Sequence, residues 1–175
     1  MRYLFLLLSL GILTIGQRSL SAQKMDECDP RAMIQANFIY QFAANCNWPS
    51  ELRKGRFTIA ILGQREVFDH LSLKYGAKPI GNQTIDVLDL ADLPAASLPH
   101  ILFIDKSKRN ELQKAVREFK NKSVLIVTNW EGALQAGSNI NFKTTDGNIR
   151  YEMNTSSMDD KNIAPGVKIL QWKVD

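Results

Sequence analysis

The stretch "HILFIDKSKRNELQKAVREFKNKSVLIVT", residues 100–128, decides the fold because it holds two apolar runs separated by a charged segment. The runs "HILFID" (100–105) and "SVLIVT" (123–128) are continuously apolar, which is typical of strands buried on both faces of a sheet. Ser107 follows the first run and is predicted to cap a helix. That helix has apolar residues at spacings of three and four, a stripe predicted to face the sheet: Leu112, Ala115, Val116 and Phe119. The order strand, helix, strand predicts an α/β domain with parallel neighbouring strands.

Two more strands are predicted upstream of this stretch. The run "FTIAILG" (57–63) is apolar and ends at Gly63, which favours another buried strand. "EVFDHLSLK" (66–74) follows as a short helix whose Val67 and Leu71, with Phe68, are predicted to turn inward. "TIDVLDL" (84–90) alternates apolar residues with aspartates, so it is predicted to lie nearer an edge of the sheet.

The pattern changes toward the C-terminus. "WEGALQAG" predicts one or two helical turns that stop at Gly137. "NINFK" and "IRYEMN" alternate, and Asp146 with Gly147 between them predicts a tight turn and an antiparallel hairpin. The last segment, "APGVKILQWKVD", is ambiguous between helix and strand. We therefore expect an α/β single-domain layered sandwich, with a mixed, mostly parallel sheet, helices on both faces and a C-terminal hairpin.

The N-terminus has the pattern of a secretory signal peptide. Arg2 precedes an apolar run over residues 4–15, and the small-residue exit "LSAQ" predicts cleavage after Ala22. The apolar run is shorter than the roughly 20 residues that span a bilayer, so a permanent membrane anchor is the less favoured alternative. We expect residues 1–22 to be removed, and residues 23–175 to form one exported domain that does not span the membrane.

The charge balance argues against nucleic acid as a partner. The chain carries 22 lysines and arginines against 18 acidic residues, a net charge of +4. Arg2 and Arg18 belong to the predicted signal peptide, so the excess in the exported chain is smaller still. A nucleic-acid-binding domain needs a dense basic stripe, which the sequence lacks.

No pattern of residues predicts a metal site or a catalytic centre. His70 and His100 each lack a second ligand four residues away. Asp86, Asp89 and Asp92 recur every third residue, but the glycine and glutamate of a calcium loop are missing, so solvated acids are expected. Dinucleotide fingerprints, P-loops and hydrolase elbows are also missing. We expect no cofactor and no enzymatic activity.

One position keeps a small-molecule hypothesis open. Gly63 is predicted to lie at a strand-to-helix turn, where a helix N-terminus can hold an anion. A single glycine is weak evidence, and a sharp turn of the chain is the favoured explanation. The alternative function is an exported sensor that binds a small molecule near this turn.

The two cysteines are not expected to form an internal disulfide. Asp29 and Pro30 predict the cap and the first residue of a helix that runs toward Cys46. A continuous helix separates Cys28 from Cys46 by more than about 20 Å, whereas a disulfide needs Cα atoms within about 7 Å. Cys46 is expected to be a small core residue, and Cys28 could join two chains.

That first helix is unusual because residues 32–50 carry no charge. Its surface is apolar most of the way round, and its polar strip consists of three amides at spacings of four: Asn37, Gln41 and Asn45. One interpretation is a core helix whose amides bond to loop backbone. The other is a helix whose amide strip, with Tyr40 or Met33, contacts another protein chain. A homodimer that buries the helix between two copies is one such arrangement.

The residues of this helix resemble those of a known family. "IQANFIYQFAANCNWP" resembles the opening helix of YfiR-type bacterial periplasmic regulators, and three more segments follow in family order: "FTIAILG", "HILFID" and "AGSNINFKTTDGNIRYEMN". The resemblance implies an α/β sandwich without catalytic activity that restrains a membrane-bound partner from the periplasmic side. In the best-known arrangement that partner is a diguanylate cyclase, whose output is cyclic di-GMP.

A binding protein is therefore the first hypothesis. Its partner would be the periplasmic domain of a membrane-bound cyclase, kinase or receptor. The interface is expected to combine apolar surface with unpaired amides. The candidate contact residues are Asn37, Tyr40, Gln41 and Trp48.

Overall fold

The computed structural model of the chain describes residues 29–93 and 98–174. The predicted signal peptide and Cys28 lie outside these residues. The helices are α1 (Pro30–Asn45), α2 (Arg65–Tyr75), α3 (Leu112–Glu118), α4 (Thr155–Asp159) and α5 (Val167–Leu170). The strands are β1 (Cys46–Asn47), β2 (Phe57–Leu62), β3 (Ile85–Leu90), β4 (Ile101–Ile104), β5 (Leu125–Thr128), β6 (Ile140–Thr145), β7 (Asn148–Met153) and β8 (Ala164–Pro165).

Six strands form the main sheet in the order β3-β2-β4-β5-β6-β7. Neighbours from β3 to β6 are parallel, and β6 pairs with β7 in an antiparallel hairpin. The expected mixed, mostly parallel sheet with a C-terminal hairpin is thereby confirmed. Short strands β1 and β8 form a separate antiparallel pair.

Helices cover both faces of this sheet because successive strand side chains point to opposite sides. In β2, Ile59 and Ile61 pack into a cluster with α1 and α2. Ala60 and Leu62 face a second cluster that contains Leu112, Ala115 and Phe119 of the α3 segment. The predicted apolar stripe of that segment is confirmed.

The first helix begins where the sequence predicted. Asp29 caps it by accepting a hydrogen bond from the backbone N of Arg31, and Pro30 is its first residue. Just after the helix, Cys46 is a buried free thiol whose pKa is raised to about 12 by burial. The prediction of a core cysteine is confirmed.

Two local predictions are wrong. The cap after β4 is Asp105, whose carboxylate accepts from the backbone N of Ser107, and a six-residue 3-10 segment (Lys106–Glu111) precedes α3. The segment after β5 forms turns over residues 131–137, because Gly132 and Gly137 have φ of +82° and +109°, outside the helical range. The ambiguous C-terminal segment contains both β8 and α5.

None of the helices in the described ranges, 29–93 and 98–174, is long and apolar enough to cross a membrane.

Candidate functional site: an apolar groove between α1 and α5

An apolar groove of about 300 Å³ separates α1 from the C-terminal segment. Its walls come from opposite ends of the chain, together with the buried ring of β7. The lining residues are Ile34, Asn37, Phe38, Gln41, Tyr151, Lys168, Ile169 and Trp172.

Aromatic rings form the floor and one wall of the groove. The ring of Phe38 meets the ring of Tyr151 edge-on at a centroid distance of 5.2 Å and that of Trp172 at 6.5 Å. The buried Tyr151 hydroxyl donates a hydrogen bond to the backbone O of Ile169, and burial raises the pKa of this tyrosine. This bond ties α5 to the sheet.

The segments that form the groove leave large apolar side chains in water. Trp172 lines the groove and is 51% exposed, and the two helices carry three more exposed apolar residues: Met33 on α1, and Val167 and Leu170 on α5. Exposed apolar side chains that occur together mark interaction sites more often than single ones do. The groove is therefore an apolar surface that a further molecule could cover.

Basic side chains border this apolar surface. Lys168 lines the groove, and the guanidinium of Arg150 lies 5.7 Å from the centroid of the Trp172 ring. A cation over an indole face is attracted by the ring and limits its motion. The border is therefore positively charged.

Asn37 and Gln41, two of the predicted contact residues, do line the groove, but their amides are already bonded. Asn37 Oδ1 accepts from the hydroxyl of Tyr75 (2.6 Å) and from Nζ of Lys74 (3.0 Å). Asn45 Nδ2 donates to Gln41 Oε1 at 3.0 Å. The amide oxygens of both residues are thus paired within the domain, by side chains of α1 and α2.

The other two predicted contact residues lie away from the groove. Tyr40 stacks on Tyr75 with ring centroids 4.1 Å apart. Trp48 is only 5% exposed, donates from Nε1 to the backbone O of Ala43 and packs against Phe57. Trp48 is thereby a core residue in this structure, and Tyr40 belongs to the contact between α1 and α2.

The groove residues that sequence reasoning missed come mainly from the C-terminal segment: Lys168, Ile169 and Trp172. A signal for them was present in "VKILQWKVD", where apolar residues and lysines alternate too irregularly for a buried strand. Tyr151 was predicted only as part of the hairpin.

The titratable residues considered as ligands have structural partners. His100 has a structural role. Its Nδ1 accepts from the backbone N of Thr58, its Nε2 lies 2.9 Å from the O of Leu52, and burial lowers its pKa. Asp86 and Asp89 form ion pairs with Arg56 and Arg65. Within residues 29–93 and 98–174, no three metal-ligating side chains come together. Gly63 lies apart from the groove, beside a polar crevice at the end of β2.

Comparison with known proteins adds one finding. The family model described as YfiR/HmsC-like matches residues 32–172, which include the whole main sheet and both walls of the groove. No curated protein matches the chain.

Proposed function

We propose that this chain, which belongs to the YfiR/HmsC-like family, is an exported, non-enzymatic regulator that binds and represses an inner-membrane signalling protein. The family supports a regulator of cyclic di-GMP signalling in the periplasm, and the predicted signal peptide at residues 1–22 supports the compartment. A diguanylate cyclase is the partner that fits this output. The observation that carries the proposal is the apolar groove with its exposed Trp172.

Trp172 is suited to be the anchor of a protein interface. Tryptophan is enriched among the residues that carry most of the binding energy in protein complexes. Here its ring is held by the edge of Phe38 and by the guanidinium of Arg150, so little side-chain freedom is lost when a partner covers it. The half of the side chain that is still exposed supplies the apolar area for the partner.

The border of the groove indicates the chemistry of the partner segment. Lys168 and Arg150 present positive charge beside an apolar floor. A complementary segment would be an amphipathic helix of the partner's periplasmic domain, with an apolar stripe flanked by acidic residues. A second copy of this chain is the competing occupant, and sedimentation velocity of the purified protein distinguishes the two.

The test is deletion of the gene in the source bacterium, followed by measurement of cellular cyclic di-GMP. We expect the deletion to raise cyclic di-GMP several-fold and the wild-type gene to restore it. Trp172→Asp should fail to restore it, although its melting temperature stays near that of the wild type because the side chain is half exposed. The matched control is Leu73→Asp, which replaces a 91% exposed leucine on α2, outside the groove, and should complement fully.

Each outcome bears on a different part of the proposal. An unchanged cyclic di-GMP level in the deletion strain would exclude the regulatory function. Full complementation by Trp172→Asp would leave the regulatory function standing and exclude the groove as the docking site.

A further inference from the structure

A second, polar crevice of about 360 Å³ lies at the carboxyl ends of the parallel strands. Gly63 follows β2, Asp105 follows β4 and Asn129 follows β5, and all three line it. The strand order reverses here, because β2 connects through α2 to β3 on one side while β4 connects through α3 to β5 on the other. In open α/β sheets, ligands bind in the crevice at such a switch point.

A buried amide in this crevice lacks a hydrogen-bond partner. Gln35 of α1 lines the crevice and is only 6% exposed, yet its Oε1 accepts no hydrogen bond in the described part of the chain. Gln64 also lines the crevice, and its Oε1 is buried and has no donor in the described part of the chain. Native proteins leave few buried acceptors unsatisfied, because each costs the free energy of its lost hydration. Two such acceptors on residues that line one crevice indicate a ligand that donates hydrogen bonds.

Charged side chains of both signs line the crevice: the carboxylates of Asp29, Glu66 and Asp105, and the cations of Arg31, Lys106 and Lys143. The carboxylate of Asp29 accepts from the backbone N of Arg31. Arg31 and Lys106 both line it, and neither forms an ion pair with any residue in the ranges 29–93 and 98–174. Lys143 is already paired with Glu152 at 3.1 Å. The carboxylate of Asp105 is also occupied, because it accepts from the backbone N of Ser107 and from Nδ2 of Asn129.

We propose that this crevice binds a small polyhydroxylated anion, of the class of sugar acids and sugar phosphates. The hydroxyl groups would donate to Gln35 and Gln64, and to the carboxylate of Glu66 at the mouth. The carboxylate or phosphate would meet Arg31 and Lys106. A volume of about 360 Å³ is at the lower end of the range for ligand pockets, which suits one monosaccharide unit. This function is separate from docking at the apolar groove.

The test is isothermal titration of the purified exported chain with sodium gluconate and with glucose 6-phosphate. These two probes distinguish a carboxylate from a phosphate as the recognised anion. Glucose and sodium sulfate, at matched ionic strength, are the controls for the hydroxyls alone and for the charge alone. We expect at least one probe to bind with a dissociation constant between about 1 μM and 1 mM, and both controls to bind at least about tenfold more weakly.

Three variants connect that binding to the crevice. Gln35→Met keeps the length of the side chain and removes the unsatisfied acceptor, so its melting temperature should equal or exceed that of the wild type while affinity falls at least about tenfold. Lys106→Gln and Arg31→Gln change exposed residues and should weaken binding without unfolding the protein. Gln41→Met, on the groove side of the same helix, is the control and should bind like the wild type.

The proposal fails if neither probe binds, or if sulfate binds as tightly as the probes. It also fails if Gln35→Met and the two cation variants all keep wild-type affinity. Should Gln35→Met not fold, Lys106→Gln alone decides the question, because Lys106 is exposed and its replacement should not unfold the domain.

Discussion

The apolar groove and the polar crevice both use α1, but a different kind of group lacks a partner at each. At the groove, the amide oxygens of Asn37 and Gln41 are paired, and it is the indole of Trp172 that remains half exposed to water. At the crevice, the neighbouring apolar residues are covered, and it is the amide of Gln35 that remains without a partner. An exposed apolar surface is suited to be covered by a large molecule, whereas a buried polar acceptor is suited to a small molecule with a matching hydrogen-bond donor.

The two regions also differ in what holds them in place. The crevice is built on the ends of central strands, which adjacent strands support on both sides. The groove depends on a short C-terminal segment that contacts the rest of the domain at few points, among them Gly166 and Ile169. Changes at those points should therefore damage the groove and spare the crevice.

The largest effect is expected from Gly166→Ala. A Cβ at this position would lie 2.3 Å from the backbone O of Asn45, at the end of α1, and backbone cannot move aside as a side chain can. We expect the free energy of unfolding to fall by about 1–3 kcal/mol, and repression of cyclic di-GMP to be lost. Urea denaturation measures the first and the complementation assay the second. Unchanged stability would show that the C-terminal segment is not held at this point.

A smaller effect is expected from Tyr151→Phe. The variant removes the hydrogen bond to the O of Ile169 and leaves that buried carbonyl without its donor, so the free energy of unfolding should fall by about 1–2 kcal/mol. Tyr40→Phe is the matched control, because the hydroxyl of Tyr40 makes no hydrogen bond with any residue that the structure describes, and its ring can still stack on Tyr75. Equal stability of the two variants in urea would contradict the proposed tie between β7 and α5.

The smallest effect is expected when one region is altered and the other is measured. Trp172→Asp should leave the affinity for the crevice probe within about twofold of the wild type, because separate sites without shared partners act additively. Isothermal titration of this variant provides the measurement. A larger change in affinity would show that α1 couples the groove to the crevice, so that the two regions act as one site.

Much of the fold could be predicted because the apolar composition of its strands indicates that they are buried. The runs that became β2, β4 and β5 are continuously apolar, and Asp146 with Gly147 identified the hairpin. The cap at Asp105 was missed because Asp105 and Ser107 are both good caps, and only the position of Asn129 on the next strand favours the aspartate. Residues 131–137 were missed because two glycines took left-handed conformations.

Less of the site could be predicted. Spacing placed Asn37 and Gln41 together on one side of α1, which the structure confirms. Spacing alone could not show that Tyr75 and Asn45 bond those amides, since α2 is a separate element of the chain. Nor could it separate Trp48, which is buried, from Trp172, which is half exposed, because both are tryptophans beside short polar segments.

The sequence by itself determined the class of the fold, the start of α1 and the succession of strands along the chain, because apolar periodicity and caps are local properties of the chain. It also showed that the sequence contains none of the local catalytic motifs considered above. Only the tertiary structure decided which groups lack partners. It paired the amide oxygens of Asn37 and Gln41, exposed Trp172 and left Oε1 of Gln35 without a donor. The physical reason is that the satisfaction of a polar atom or an apolar surface depends on neighbours from distant parts of the chain.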